Sequence, residues 1–176
     1  MELLLGCGSR KQRLIAYNDV TAWKELVTLD MNPDHKPDVV WDLTKRPLPF
    51  EDNQFDEIHA YDVLEHLGQQ GDWRTFFEEW TEWYRILKPD GVLCGISPRW
   101  DSPWAWGDPG HTRIVGPEAM TFLSQEEYTN QVGVSPMTDY RFVWKGDFKA
   151  LHMALDENFP AFIYIMQAVK PSRITV

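Results

Sequence analysis

Leu3-Leu4-Leu5 runs straight into Gly6-Cys7-Gly8, and a second apolar run, Leu26-Val27-Thr28-Leu29, closes on Asp30. An apolar strand broken by a Gly-x-Gly turn, with an acid ending the next strand, is the spacing of a nucleotide-binding βαβ unit. Glycines let the backbone turn sharply beside a ligand, and the acid can accept hydrogen bonds from both ribose hydroxyls. A lone Gly-x-Gly is weak evidence, and the order of the segments after it narrows the reading.

Short apolar runs alternate with longer amphipathic stretches, which favours α/β layering over a helical bundle or an all-β sandwich. Strands are expected at residues 2–5, 26–30, 39–41 and 55–61, the last two followed by Asp42 and Asp62. Ligands of open parallel sheets gather at the carboxyl ends of strands, so Gly6, Asp30, Asp42 and Asp62 would converge on one edge. Between the first two strands, Gln12 to Lys24 holds Leu14, Ile15, Tyr17, Val20 and Trp23, enough for a short or irregular helix but poorly periodic. Asp72 is placed to cap a clear helix, in which Phe76, Phe77, Trp80, Trp83, Tyr84 and Leu87 recur every three or four residues. Lys88-Pro89-Asp90-Gly91 reads as a tight turn and Val92 to Ile96 as a buried fifth strand. Residues 97–116 are proline-rich and aperiodic, so a long loop is expected there. A helix from Pro117 to Leu123 follows, then one interrupted strand within Tyr140 to Leu155. The last strand, Phe162 to Val169, is joined to it by Asp156-Glu157-Asn158, and such a hairpin would add antiparallel strands to the sheet.

A chain of 176 residues suits one well-buried domain, so a single domain over 1–176 is expected. A hydrophobic content of 43% with nine Trp excludes a disordered or fibrous chain. The formal charge of −10, with only Arg10-Lys11-Gln12-Arg13 looking basic, disfavours a nucleic-acid partner. The longest apolar stretch, Phe159 to Val169, is too short to span a bilayer, and no basic region precedes the first strand, so a soluble, cytoplasmic protein is expected. Cys7 and Cys94 lack the spacing of a metal knuckle or disulfide framework and read as free thiols.

Taken in order, Leu5-Gly6-Cys7-Gly8, Leu29-Asp30-Met31-Asn32-Pro33, Asp42-Leu43, Leu48-Pro49-Phe50, Phe55-Asp56-Glu57-Ile58, Asp62-Val63-Leu64-Glu65-His66-Leu67 and Leu87-Lys88-Pro89-Asp90-Gly91 form a series. That series resembles the class I S-adenosylmethionine-dependent methyltransferases over residues 3 to 97, and Asp108-Pro109-Gly110-His111-Thr112-Arg113 looks like a further segment of the same group. The resemblance implies a Rossmann-like, seven-stranded, mostly parallel sheet with an antiparallel last strand and helices on both faces. It implies S-adenosylmethionine as cofactor, with Leu5, Gly6, Cys7 and Gly8 along its methionine portion, Asp30 on the ribose hydroxyls and Met31 on one adenine face. Asp42 and Leu43 would meet the adenine amino edge, and Tyr61 and Asp62 would lie near the sulfonium. The chain departs from the pattern in carrying Leu4 where most relatives have an acid and Arg10 where they have a third glycine. The relatives' helices before the first strand have no counterpart, which leaves the loop 97–116, or a partner chain or second copy, to close the acceptor site. A dehydrogenase shares the strand-turn geometry but normally wants the third glycine.

Asp62, Glu65 and His66 fall at i, i+3 and i+4, so a helix starting near Asp62 would put them on one face. Such side chains can ligate a divalent metal, with His111 as a fourth ligand. This looks like the metal site of certain O-methyltransferases, while other relatives with the same Leu-Glu-His-Leu use no metal and pack the imidazole under the cofactor. Trp100, Trp104 and Trp106 crowd the loop before His111, where they either stack on an acceptor or roof the core. Arg99 and Arg113 either pair with an acceptor anion or salt-bridge on the acidic surface. The reaction implied is in-line methyl transfer to an oxygen or nitrogen of a small-molecule acceptor such as a nucleoside or sugar, catalysed largely by positioning. His111 is the first candidate base and His66 the second, with Asp62 orienting the acceptor. The competing reading is a catalytically silent methyltransferase-like binding module.

Overall fold

The computed structural model describes residues 1–156 and 159–174. Strands β1 (Glu2–Leu5), β2 (Leu26–Asp30), β3 (Val39–Val40), β4 (Phe55–Tyr61), β5 (Leu87–Pro98), β6 (Phe148–Leu155) and β7 (Ala161–Ala168) make one sheet in the order β3-β2-β1-β4-β5-β7-β6. The first five pair in parallel, whereas β7 runs antiparallel to both β5 and β6. The expected mostly parallel sheet with an antiparallel last strand is therefore observed. Chain order reverses at β1, whose neighbours are β2 and β4, and the crevice beyond such a reversal is where open α/β sheets take ligands.

Alternation along the strands sends Leu3, Leu5, Leu29, Ile58, Ala60 and Leu93 to one face of the sheet. Helix α1 (Trp73–Ile86) covers that face with Phe77, Trp80, Trp83 and Ile86, all nearly inaccessible. Burying one such large apolar side chain stabilises the fold by ~1.5–3 kcal/mol. Asp72 caps the helix as expected, its carboxylate accepting from the Thr75 amide at 3.2 Å. Two of the three shorter helices, α2 (Pro103–Gly107), α3 (Pro117–Thr121) and α4 (Gln125–Gln131), join the same cluster, with Met120 from α3 and Tyr128 from α4.

The opposite face differs from expectation. No helix forms in the crossover between β1 and β2, so Gln12 to Lys24 are not helical, and among the described residues no helix contributes to the apolar cluster on this face. An irregular segment lies there instead, turning through positive φ at Gly6, Gly8, Asn18 and Asp19. Its Ile15 packs on Val92, Cys94 and Ile165. Arg13, with a side chain only 1% exposed, bridges Glu2 of β1 and Glu57 of β4. Leu14, Tyr17, Val20 and Trp23 share no helical face, so an ion pair and a small apolar patch hold the segment where a helix would otherwise lie.

Several boundaries also shift. Trp41 lies outside β3, although its amide reaches the Asp30 carbonyl at 3.0 Å. Lys88-Pro89-Asp90-Gly91 turns as expected, with φ +63° at Asp90, but as an excursion inside β5, whose register passes from Phe55↔Leu87 to Glu57↔Val92. The loop expected at 97–116 is shortened by Ser97 and Pro98, which extend β5, and is interrupted by α2, capped by Ser102. The β6–β7 hairpin forms, while Glu157 and Asn158 of its connection lie outside the described residues. No helix among the described residues is long and apolar enough to cross a membrane.

Candidate functional site

β1 ends in a turn only glycine makes easily: Gly6 and Gly8 have φ of +54° and +51°. The turn is tied to β2 from both sides. The Cys7 amide donates to the Leu29 carbonyl at 3.1 Å, and the Gly8 amide donates to Asp30 Oδ2 at 2.8 Å. Asp30 Oδ1 accepts from the Asn32 amide at 2.8 Å and lies 3.3 Å from His35 Nδ1. Burial pushes the Asp30 carboxyl up, but these donors outweigh it and hold the group below the usual carboxylate range. Leu5 and Cys7 are buried, and burial raises the Cys7 thiol.

A cavity of about 400 Å³ opens beside this edge, lined by Gly6, Asp30, Met31, Trp41, Asp42, Leu43, Asp62 and His66 among others. Asp42 Oδ1 accepts from the Thr44 amide at 2.9 Å and its hydroxyl at 2.7 Å, which lowers its pKa. Met31 is 70% exposed above the cavity. A second cavity, about 350 Å³, follows the glycine turn from Leu5 and Gly8 to Tyr61 and Asp62. A third, about 340 Å³, is lined by Asp62, His66, Ser102, Trp104, Asp108, His111 and Phe159. Asp62 lines all three, and His66 lines the first and the third.

Asp62 ends β4 in a left-handed conformation, φ +52°, so the expected helical face with Glu65 and His66 does not form; Leu64–His66 make a single 3-10 turn. Burial raises the Asp62 carboxyl, against smaller opposing effects of His111 and His66. The turn is held from the other side by the segment after α2. The Thr112 amide donates to the Glu65 carbonyl at 2.9 Å, and His66 Nδ1 lies 3.1 Å from the Gly110 carbonyl, which makes that nitrogen the protonated one. The His66 and His111 rings meet edge to face, 4.5 Å between centroids. Glu65, His66 and His111 each bring a ligand atom within 4.8 Å of the other two, and Asp62 is not in the group. Glu65 is 2% exposed; its Oε2 accepts from the Ser97 hydroxyl at 3.0 Å, while Oε1 and His111 Nδ1 are buried without a hydrogen-bond partner. Burial pushes the Glu65 carboxyl up to about 7.

Among the other expected site residues, Tyr61 lines the second cavity, whereas Arg113, Trp100 and Trp106 line none of the three. The Tyr61 hydroxyl accepts from the amides of Leu14 and Ile15 and lies 2.6 Å from His59 Nδ1, so its polar end pins the crossover. Arg113 is buried, its guanidinium on Glu79 at 2.6 Å and the Leu64 carbonyl at 2.8 Å. It lines a separate cavity of about 260 Å³ with Trp73, Phe76 and Tyr140, away from Trp104 and His111. Of the three loop tryptophans only Trp104 lines the third cavity; Trp106 Nε1 donates to the Trp100 carbonyl, and both rings are exposed. Asp108, Ser102 and Phe159 were not expected there. Asp108 carried a signal in its Asp-Pro-Gly turn, whereas Phe159 arrives from the far β6–β7 connection.

A model of the methyltransferase domain matches residues 3–95, the span from β1 into β5. The chain belongs to the methyltransferase-domain family. Its fold is that of the class I, S-adenosylmethionine-dependent members of this family. Among solved structures this methyltransferase resembles the N-methyltransferase NodS from Bradyrhizobium japonicum WM9, at TM-score 0.55 and 14% identity over 96% of this chain and 85% of that one. A SAM-dependent methyltransferase from Archaeoglobus fulgidus matches at TM-score 0.55 and 18% identity, with the same coverage of 96% and 85%. A methyltransferase solved in complex with the Haloferax volcanii Trm112 methyltransferase activator matches at TM-score 0.54 and 15% identity, over 96% of this chain and 82% of that one. At these identities the likeness is one of fold. No curated protein matches the methyltransferase by sequence.

Proposed function

We propose that this methyltransferase moves the methyl group of S-adenosylmethionine to an oxygen or nitrogen of a small-molecule acceptor, with the donor laid across the first two cavities and the acceptor in the third. The observation that carries this reading is the meeting of the three cavities at Asp62. The donor's adenosine occupies the cavity of Asp30, Met31, Asp42 and Leu43, and its amino-acid end the cavity along Leu5, Gly6, Cys7 and Gly8. The residues fit such a ligand: a Cβ on Gly8 would meet nothing within 4 Å, which leaves the turn open to a bound group, and the Asp30 carboxylate is held ready to accept. When bound, the donor supplies an electrophilic methyl on a sulfonium. Asp62 and His66 stand at the boundary between donor and acceptor, Asp62 orienting the acceptor and His111 or His66 taking a proton where the nucleophile must lose one.

The segment 97–116 is the acceptor lid of a single domain spanning the chain. A partner chain or second copy over the same opening is its alternative, as the activator complex of the Haloferax volcanii neighbour illustrates for that protein. We place the enzyme in the cytoplasm, in keeping with its two unpaired cysteines. Calorimetry with S-adenosylhomocysteine tests the site. Submicromolar to micromolar binding that Asp30→Ala weakens is expected, and an unchanged affinity in that variant would show the cavity assignment to be wrong.

A divalent metal held by Glu65, His66 and His111 is a second reading, favoured by the two unpartnered buried atoms Glu65 Oε1 and His111 Nδ1. Such an ion would polarise an acceptor oxygen. Titration with Mg²⁺, Mn²⁺ and Zn²⁺ on wild type and His111→Ala decides it, since absence of binding removes the metal.

A further inference from the structure

The third cavity has a chemical bias that narrows the acceptor. Asp62 and Asp108 both line it, and a Glu65 carboxylate oxygen lies within 4.8 Å of a ring nitrogen of His111. Among the described residues lining it there is no Lys or Arg. The two nearby arginines are committed elsewhere: Arg99 to Asp101 at 2.6 Å and Arg113 to Glu79. An acceptor carrying a carboxylate or phosphate would meet two carboxylates with only the imidazoles of His66 and His111 beside them, which a partly enclosed site penalises. The remaining walls are Trp104 and Phe159, whose ring faces attract cations, together with Pro98, Pro160 and Ala161. Carboxylates beside aromatic rings form a receptor for an ammonium group.

We propose that the acceptor is an amine, received as its ammonium ion between Asp62 and Asp108 with its apolar part against Trp104 and Phe159. The inference rests on the methyltransferase reading and names the acceptor of that same site. The ammonium first gives one proton to the imidazole of His111, which lines the cavity, and this frees the nitrogen lone pair. That pair then forms the new C–N bond as the methyl C–S bond breaks, with the bonding pair returning to sulfur as a neutral thioether. The product is an N-methylammonium ion, and His111 passes its proton to water. Asp62 and Asp108 hold the cation before and after transfer, which biases the site toward nitrogen over hydroxyl nucleophiles. The metal reading predicts the opposite order, because a cation at Glu65, His66 and His111 would repel an ammonium and favour oxygen anions.

The test uses the full chain loaded with S-adenosylhomocysteine and four probes of one shape: benzylamine, benzyltrimethylammonium, benzyl alcohol and benzoate. Calorimetry should find the two cations bound about tenfold or more tightly than the alcohol or benzoate. Asp62→Asn and Asp108→Asn should each weaken the cations about fivefold without changing the alcohol. Asn tolerates the left-handed backbone at Asp62, so that variant is expected to fold. Trp104→Ala, at a residue 70% exposed, gives an independent variant and should weaken benzyltrimethylammonium while Trp104→Phe restores part of it. With S-adenosylmethionine present, benzylamine should release S-adenosylhomocysteine faster than benzyl alcohol does. Equal or tighter binding of benzoate or benzyl alcohol, or no binding of either cation to the loaded protein, overturns the amine assignment while the methyltransferase reading stands. A chain that fails to take up S-adenosylhomocysteine at all refutes both, and that result is read before any probe is added.

Discussion

The Gly8 amide donates to the Asp30 carboxylate across 22 residues of chain, and this bond, 2.8 Å long, closes the glycine turn onto the end of β2. With the Asn32 amide on the other oxygen, Asp30 organises two backbone segments before any ligand arrives. Asp30→Ala leaves both amides without their acceptor, a loss of about 1–3 kcal/mol in folding stability. The sign with pH follows from the depressed carboxyl. Its contribution is fully present above the ordinary value of 3.8 and is lost as pH falls through the lower folded value. Melting wild type and variant side by side should show a gap at pH 7 that shrinks toward pH 3, and a gap independent of pH would refute this role.

Gly6 and Gly8 share a left-handed backbone but not a neighbourhood. A Cβ at Gly6 would come within 2.7 Å of Val63 Cγ2, whereas one at Gly8 points into open space. Gly6→Ala should therefore lower stability and cofactor affinity together. Gly8→Ala should cost about 1 kcal/mol of strain in stability yet weaken S-adenosylhomocysteine binding about tenfold or more, because its methyl takes ligand volume. Denaturant titration paired with calorimetry separates the two, and equal behaviour of the variants would contradict the placement of the donor along this turn.

The sheet and α1 were readable because their signals are local. β1, β2 and β4 are apolar runs ended by Gly6, Asp30 and Asp62, and α1 carries both a cap at Asp72 and a three-to-four-residue apolar period. The converging acids at 30, 42 and 62 follow from parallel pairing alone. What stayed hidden depends on residues distant in sequence. The crossover is held by Arg13 on Glu57, 44 residues away. Helix α4 buries only Gln125 and Tyr128, too little for a period, so Ser124 as its cap and the acids Glu126 and Glu127 in its first turn are its local signs. Tyr61 and Arg113 have polar ends whose partners, the amides of 14 and 15 and Glu79, are set by tertiary packing.

Arg13 gives that hidden relationship a measurable size. Its guanidinium neutralises Glu2 and Glu57, whose side chains are 5% and 15% exposed, and Glu57 in turn accepts from His59 Nε2 at 2.9 Å. Removing the arginine leaves the buried Glu2 and the partly buried Glu57 without their cation, so Arg13→Ala should destabilise the fold by about 3 kcal/mol. Arg13→Met combined with Glu2→Gln and Glu57→Gln should recover part of the loss, since neutral side chains no longer bury an unmatched charge. A surface-like effect below about 0.5 kcal/mol in urea unfolding would mean that the crossover is not clamped here.

Glu65 offers the clearest pH signature at the site. Burial lifts its carboxyl from 4.5 to about 7, so between those values the folded chain holds a proton that the unfolded chain has released. Stability therefore falls as pH rises through this window, and the cost of the buried charge is fully present above pH 7. Glu65→Gln removes that cost while keeping an acceptor for the Ser97 hydroxyl. In buffer with a chelator, the variant should match wild type near pH 4.5 and exceed it at pH 8 by up to about 3 kcal/mol. Adding Mn²⁺ to wild type at pH 8 separates the two readings of the cluster. A bound ion would stabilise the ionised carboxylate, raise the melting temperature and erase the advantage of Glu65→Gln, whereas an unchanged melt leaves Glu65 as a buried acid beside the acceptor cavity.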